Sequence, residues 1–324
     1  MTNNIKKLAP VLFLLTIASC TDTSVSNLSS VTSLYTGSAN VIEGEAKIKV
    51  ASLFTCKNGR SRPSPIGIKK LNEKSFIVPA KVQYEEEHFA SDLYNECSNV
   101  VPKSLADVNI STVPIIEVDN DGEVITGYIF ADNYFELFIN GKLIAVDPIP
   151  FTPFNSNIVK FKVKKPYDIA IKLVDWEENS GLGSEDNRGK SFHPGDGGFI
   201  ASFSDGTKTN AEWSAQTFYT SPLYDLNCAE EIGEQRLTEN CDTNGVNEYI
   251  DTYSLHWDVP VNWKTNQDYI TWPKAVEFTE DEIGVNNKKA YMNFQEQFSG
   301  TGASFIWSSN LVLDNLVLLR YQVK

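Results

Sequence analysis

Asp175, Trp176, Glu177, Asp186, His193 and Asp196 crowd into residues 175–198, and Trp213 follows soon after. Sugars are held by aromatic rings laid against their C–H faces and by carboxylates that accept hydroxyl hydrogen bonds. This stretch supplies both residue types. Asp186, Asn187 and Asp196 are also hard oxygen donors of the kind calcium takes, although their spacing is irregular. A third chemistry is glycoside hydrolysis. Asp175 or Glu177 with Asp196 would make a carboxyl pair, and His193 could act as a base. The plain alternative is a solvated loop with Trp176 and Trp213 packed in the core. Gly195-Asp196-Gly197-Gly198 lacks the Gly-Lys-Ser/Thr end of a phosphate loop, and no Gly-x-Ser-x-Gly elbow or His-Glu-x-x-His helix occurs. Ligand binding without catalysis is therefore the leading expectation, with no catalytic residue assigned.

These residues need a scaffold, and the sequence around them reads as β. The run Ala131–Asp147 holds two apolar segments flanking Asn140-Gly141. That dipeptide suits the two positive-φ positions of a type I′ turn, so a long hairpin is expected. Downstream, Val159, Phe161 and Val163 alternate with Ile158, Lys160, Lys162 and Lys164, and Ile169, Ile171 and Leu173 alternate again. Such alternation marks half-buried strands with one wet face. Asp119-Asn120-Asp121-Gly122 and Asp205-Gly206 read as hairpin turns, the first resembling the opening of a calcium loop without its distal Glu. Leu311–Arg320 is nearly apolar throughout and reads as a central strand of the same layers. Glu85-Glu86-Glu87-His88 is a solvated charge run, part of a short helix or acidic loop reaching Glu96. The acidic stretch 277–284 suggests a helical turn or two.

Two features concern the compartment. Lys6 and Lys7 precede an apolar run, Leu8–Ile17, that is short for a bilayer span and reads as a signal peptide. It ends in Ile17-Ala18-Ser19-Cys20, which resembles the cleavage box of bacterial lipoproteins. That resemblance implies acylation of Cys20, palmitate-type chains as the membrane anchor, and, with Thr21 rather than Asp next, the outer membrane and cell surface. Cys56, Cys97, Cys228 and Cys241 remain. An even number in an exported chain suggests two disulfides. Three connectivities are open, and neighbour pairing is the simplest.

The chain of 324 residues is 41% hydrophobic with net charge −14. It can bury a core, and its charge makes nucleic acid an unsuitable partner. The segments are expected as a signal peptide (1–20), a tether (21–40), a small disulfide-linked unit (41–113) and a β domain (114–324) with long insertions at 175–198 and 223–300.

The lead-in Ala131-Asp132, the strand Glu136–Lys142 around Asn140-Gly141, and Phe161–Pro166 before Ile169-Ala170-Ile171-Lys172-Leu173 resemble the galactose-binding-like, jelly-roll modules found beside many carbohydrate-active enzymes. The likeness covers about 128–205, with Tyr167-Asp168 standing where the family usually has Gly-Asn. It implies an antiparallel β-sandwich and carbohydrate, such as a cell-surface polysaccharide, as ligand. The chain is also similar to uncharacterised secreted bacterial proteins. A glycan-active hydrolase and an assembly lipoprotein that docks a partner through 257–273 remain as alternatives.

Overall fold

A computed structural model describes residues 35–57, 60–86, 88–179, 182–186, 192–244 and 252–324. The apolar run 8–17, Cys20, most of the tether, Glu87 and Asn187 lie outside the described residues. The chain is mainly β, as its alternating patterns require.

The first strand, β1 (Asn40–Glu43), precedes a small antiparallel sheet of β2 (Lys47–Val50), β3 (Ile66–Leu71) and β4 (Lys74–Val78). Then come β5 (Ser91–Tyr94), β6 (Ile115–Glu117), β7 (Glu123–Asp132), β8 (Tyr134–Ile139), β9 (Lys142–Val146), β10 (Ser156–Val163) and β11 (Tyr167–Val174). Two short pieces, β12 (Ser184–Glu185) and β13 (His193–Pro194), pair inside the Gly-rich loop. The rest comprises β14 (Gly198–Phe203), β15 (Ser214–Leu223), the hairpin β16 (Glu230–Ile232) and β17 (Gln235–Leu237), β18 (Tyr253–His256), β19 (Val276–Phe278), β20 (Phe305–Trp307) and β21 (Asp314–Val323).

Two larger sheets dominate. One runs β1-β18-β15-β21-β11-β8-β9 and the other β19-β20-β14-β7-β10-β5, with β6 joining β10. Among the described strands pairing is antiparallel except between β6 and β10, and an isolated parallel bridge joins Phe89 to Val146 of β9. One apolar cluster draws from both: Phe135, Leu137, Ile169, Ile171, Leu173, Val317 and Leu319 from the first sheet, and Ile129, Val159, Phe161, Val163, Phe199 and Ala201 from the second. Side chains alternate across each strand, so this shared core leaves an outer face on each sheet. Both are covered. Tyr134, Phe138, Phe218 and Leu316 lie under Phe76, Val78, Trp257, Trp263 and Trp272. Phe130, Ile158, Ile200 and Phe305 lie under Tyr291, Phe294 and Phe298.

The central hairpin forms as its turn residues dictate. Asn140 and Gly141 have φ of 49° and 79°, and Ile139 pairs with Lys142. The apolar run 311–320 is central, with β21 between β11 and β15. Both disulfides join neighbours, Cys56–Cys97 and Cys228–Cys241.

Several sequence expectations differ from what forms. The chain does turn at Asp205-Gly206, but the returning strand crosses to the other sheet, where β15 pairs with β18 and β21. Asp119–Gly122 does not join a hairpin, since β6 and β7 each pair with β10 instead. Its acidic groups meet lysines: Lys164 Nζ reaches Asp121 at 2.9 Å, and Lys162 Nζ donates to the Asn120 carbonyl. Ser91–Tyr94 is an edge strand rather than a helix, and residues 277–284 begin with strand β19. The wet face of β10 is only half exposed, because Lys160 Nζ donates to the Ile110 carbonyl of a covering segment at 2.6 Å. Segment 41–113 places β1 in one large sheet and β5 in the other.

Candidate functional site: a carboxylate cluster at the rim

Asp132 ends β7, and two residues later Tyr134 opens β8, so the chain steps from one large sheet to the other across Asp132 and Asn133. Asp175 follows β11 directly, and Asp196 stands two residues before β14. Gly198 pairs with Asp132, and Val174 with Tyr134. The topology therefore gathers Asp132, Asp175, Glu177 and Asp196 at one end of the paired sheets. Asn133 ties the junction. Its side chain accepts from the Trp176 amide, and its Nδ2 donates to Asp132 Oδ1 at 2.6 Å.

Asp132, Asp175 and Glu177 are buried. Burial raises the pKa of all three well above the carboxylate range, and neighbouring carboxylate charges push the same way, Asp196 first on Asp132 and Asp175, and Asp175 first on Glu177. Asp175 and Glu177 are in hydrogen-bonding contact, which requires a proton on one of them. Apart from that contact, neither oxygen of Asp175 meets a donor among the described residues. Asp196 is less enclosed. Burial and then the Glu185 charge raise it to about 6, against the pull of Lys288 and His193.

An ion triad closes the outer side. Arg62 donates to Glu178 at 2.7 and 3.0 Å and also pairs with Glu185. Burial alone would raise Glu178, but Arg62 and Asp186 hydrogen bonds hold it down at about 2. His193 Nε2 lies 3.6 Å from Glu185 Oε1 across the β12–β13 ladder. Gly195 lies directly against Glu177, where a Cβ would overlap Oε1. Gly197 is pressed onto the Trp307 ring in the same way, and its amide donates to the Leu311 carbonyl at 2.9 Å. Glycine here serves close approach of backbone to packed side chains.

The structure thus brings together Asp175, Glu177, Asp186, His193 and Asp196. It does not bring the two tryptophans to them as platforms. Trp176 is wholly buried on the outer face, stacked edge-on to Tyr134 at 5.8 Å, with Nε1 donating to the Pro65 carbonyl at 3.1 Å. Trp213 is wholly buried against Tyr321, with Nε1 donating to the Lys208 carbonyl at 2.9 Å. Ser214 pairs with Arg320, whereas the Asp175 amide bonds the Asn315 carbonyl. Those points are several residues apart along β21, about 3.3 Å each, so Trp213 belongs to the opposite end. Neither ring can be offered to a sugar, and the aromatic part of the expected site is corrected accordingly. In the stretch 257–273 the rings of Trp257, Trp263, Tyr269 and Trp272 are buried within the chain, while Val261 and Ile270 are exposed.

Asp132, Glu185, Lys288 and Arg62 were not marked out by the sequence as site residues. Asp132 had one signal, a carboxylate interrupting an apolar run at Phe130-Ala131-Asp132-Asn133. Arg62 and Lys288 are distant in sequence and had none. Among the described residues, no group of three or more His, Cys, Asp or Glu side chains is arranged to hold a metal ion. None of the helices among them is long and apolar enough to cross a membrane. No protein-family model, no curated protein and no solved structure matches this chain.

Proposed function

We propose that this is an exported, lipid-anchored protein of galactose-binding-like, jelly-roll type that binds extracellular carbohydrate through its rim. The observation that carries the reading is the grouping of acceptors and donors at the rim: Glu185 and His193 lie 3.6 Å apart across the β12–β13 ladder, and both, with Lys288, act on the charge of Asp196. Sugar hydroxyls need both kinds of partner, held rigidly. The buried carboxyls behind, closed off by Arg62, supply that rigidity. The two disulfides fit an oxidising compartment outside the cytoplasm. Acylation at Cys20 and the outer membrane complete the proposal.

The test is retention on immobilised neutral polysaccharides. The full chain should be retarded and Asp196→Asn should lose that retardation while remaining cooperatively folded. Absence of retardation on every glycan tried would remove the reading. Anchoring is checked separately by acyl-chain labelling in cells, which Cys20→Ser should abolish.

A glycan-active hydrolase is the second reading, and one observation favours it. A carboxyl raised to about 6 beside others raised further is the environment a general acid needs near neutral pH. Turnover of a glycan by the wild type, lost in Asp196→Asn while binding persists, would move the assignment to catalysis.

A further inference from the structure

A second cavity lies away from the carboxylate cluster. It has a volume of about 460 Å³ and is walled by β15, β17, residues 273–276 and Ser308-Ser309. That is within the range of small-molecule pockets, roughly 300–1,000 Å³. Its lining includes Arg236, Gln235, Glu239 and Ser309.

Arg236 is the unusual member. Its guanidinium is stacked between Phe218 and Trp257, 4.6 Å from each ring centroid. One N–H donates to the Thr217 carbonyl. Guanidinium carries five N–H donors, and the others meet no acceptor among the described residues. No carboxylate there forms an ion pair with it, in a chain of net charge −14. The nearest acids are otherwise committed or exposed. Glu231 takes hydrogen bonds from Tyr35, Ser38 and Trp257, Asp314 from Thr220 and Ser308, and Glu234 faces solvent. Arg236 is half-buried and lines the cavity, so those N–H groups stay open to a ligand that brings a counter-charge. Two aromatic faces fix its plane, and a fixed guanidinium fork matches a carboxylate in two parallel hydrogen bonds. Around it, Gln235 and Ser309 can donate and Glu239 can accept, and the side chains of all three are without hydrogen-bond partners among the described residues.

We propose that this cavity binds a carboxylated sugar, a uronic acid residue of an acidic polysaccharide, with Arg236 taking the carboxylate and Gln235, Ser309 and Glu239 taking hydroxyls. The proposal rests on the reading of the protein as a carbohydrate binder but places the acidic sugar at a different site from the rim. The test is calorimetric titration of the full chain in detergent with a galacturonate trimer and with a neutral galactose trimer. The uronate should bind and the neutral sugar should bind about 30-fold more weakly or less. Arg236→Gln should weaken uronate binding by about 30-fold or more, the usual consequence of losing one partner of an enclosed charge pair. Because Arg236 also packs against two rings, Ser309→Tyr serves as the second variant: it fills the cavity, leaves the guanidinium in place and should block the uronate as well. Equal affinity for both sugars, no uronate binding, or undiminished uronate binding in a folded Arg236→Gln or Ser309→Tyr protein would overturn the proposal. Neutral-glycan binding that depends on Asp196 alone, with no uronate preference, would overturn it while leaving the rim reading in place. Uronate binding lost in both cavity variants would sustain it even if neutral glycans never bind.

Discussion

At Gly195 an added methyl group would land on Oε1 of the buried Glu177 side chain. Gly195→Ala should therefore destabilise the fold by about 1–3 kcal/mol, the usual cost of overpacking. Shortening Glu177 at the same time should return part of that loss, and a denaturant-unfolding cycle of the two single variants and the double variant measures the coupling. The tryptophans behave differently. Trp176 and Trp213 are wholly enclosed, with their indole N–H groups satisfied by Pro65 and Lys208. Replacing either by Ala should cost about 3–5 kcal/mol of stability. If glycan binding is measured on whatever fraction remains folded, Trp213→Ala should leave it unchanged, because that ring lies at the end remote from Asp196. A selective loss of sugar affinity with full stability would show instead that the ring reaches the ligand.

Among the elements, the β16–β17 hairpin is held by Cys228–Cys241, which closes a loop of sequence separation 13. Its removal by Cys228→Ser with Cys241→Ser should lower stability by about 3 kcal/mol in the chain-entropy model. Thermal melts under non-reducing conditions would show it. Arg236 sits on β17, so the same change should also loosen the second cavity. This level of organisation was partly legible beforehand. The Asn140-Gly141 turn, the alternating strands β10 and β11 and the central β21 follow from local residue patterns, because their causes lie within a few residues of one another. The disulfide pairing, with Cys56 and Cys97 separated by 41 residues, was one of three connectivities left open. The crossing of β15 after Asp205-Gly206 does not follow from such patterns. A tight turn specifies a reversal but not which sheet receives the returning strand, and here Trp213 packs between the layers while β15 pairs with β21. The parallel β6–β10 pair was hidden for the same reason. The site divided in the same way: carboxylates at strand ends could be listed, but whether each was open or enclosed depended on Arg62 and Lys288 arriving from remote segments. Exposure of an aromatic ring is a tertiary property too, which is why Trp176 looked like a platform.

For the molecule as a whole, the enclosed acids make stability depend on pH in an unusual direction. Asp132, Asp147, Asp175, Glu177, Asp196 and Asp314 all have folded-state pKa values raised by burial, Asp196 and Asp314 to about 6. A raised carboxyl binds its proton more tightly folded than unfolded. Its contribution is complete below the unfolded value near 4, then declines as pH climbs toward the folded value. For Asp196 and Asp314 the decline falls between about pH 4 and 6, and for the others it continues higher. His256 opposes this. Burial lowers it to about 4, so it favours the fold increasingly as pH rises from there to the usual histidine value near 6.5. Glu178, held at about 2, opposes it only below the ordinary carboxylate range. Six acids against one imidazole leave a net decline, and the growing negative charge of an already acidic chain adds self-repulsion in the same sense. The melting temperature should therefore fall by on the order of 5 °C between pH 4.5 and 7.5. Asp196→Asn should flatten the part of that fall below pH 6, since the amide does not titrate. Calorimetric scans of both proteins at pH 4.5, 6.0 and 7.5 decide the matter, and a melting temperature that rises across the interval would mean that the four rim carboxyls do not share one enclosed space.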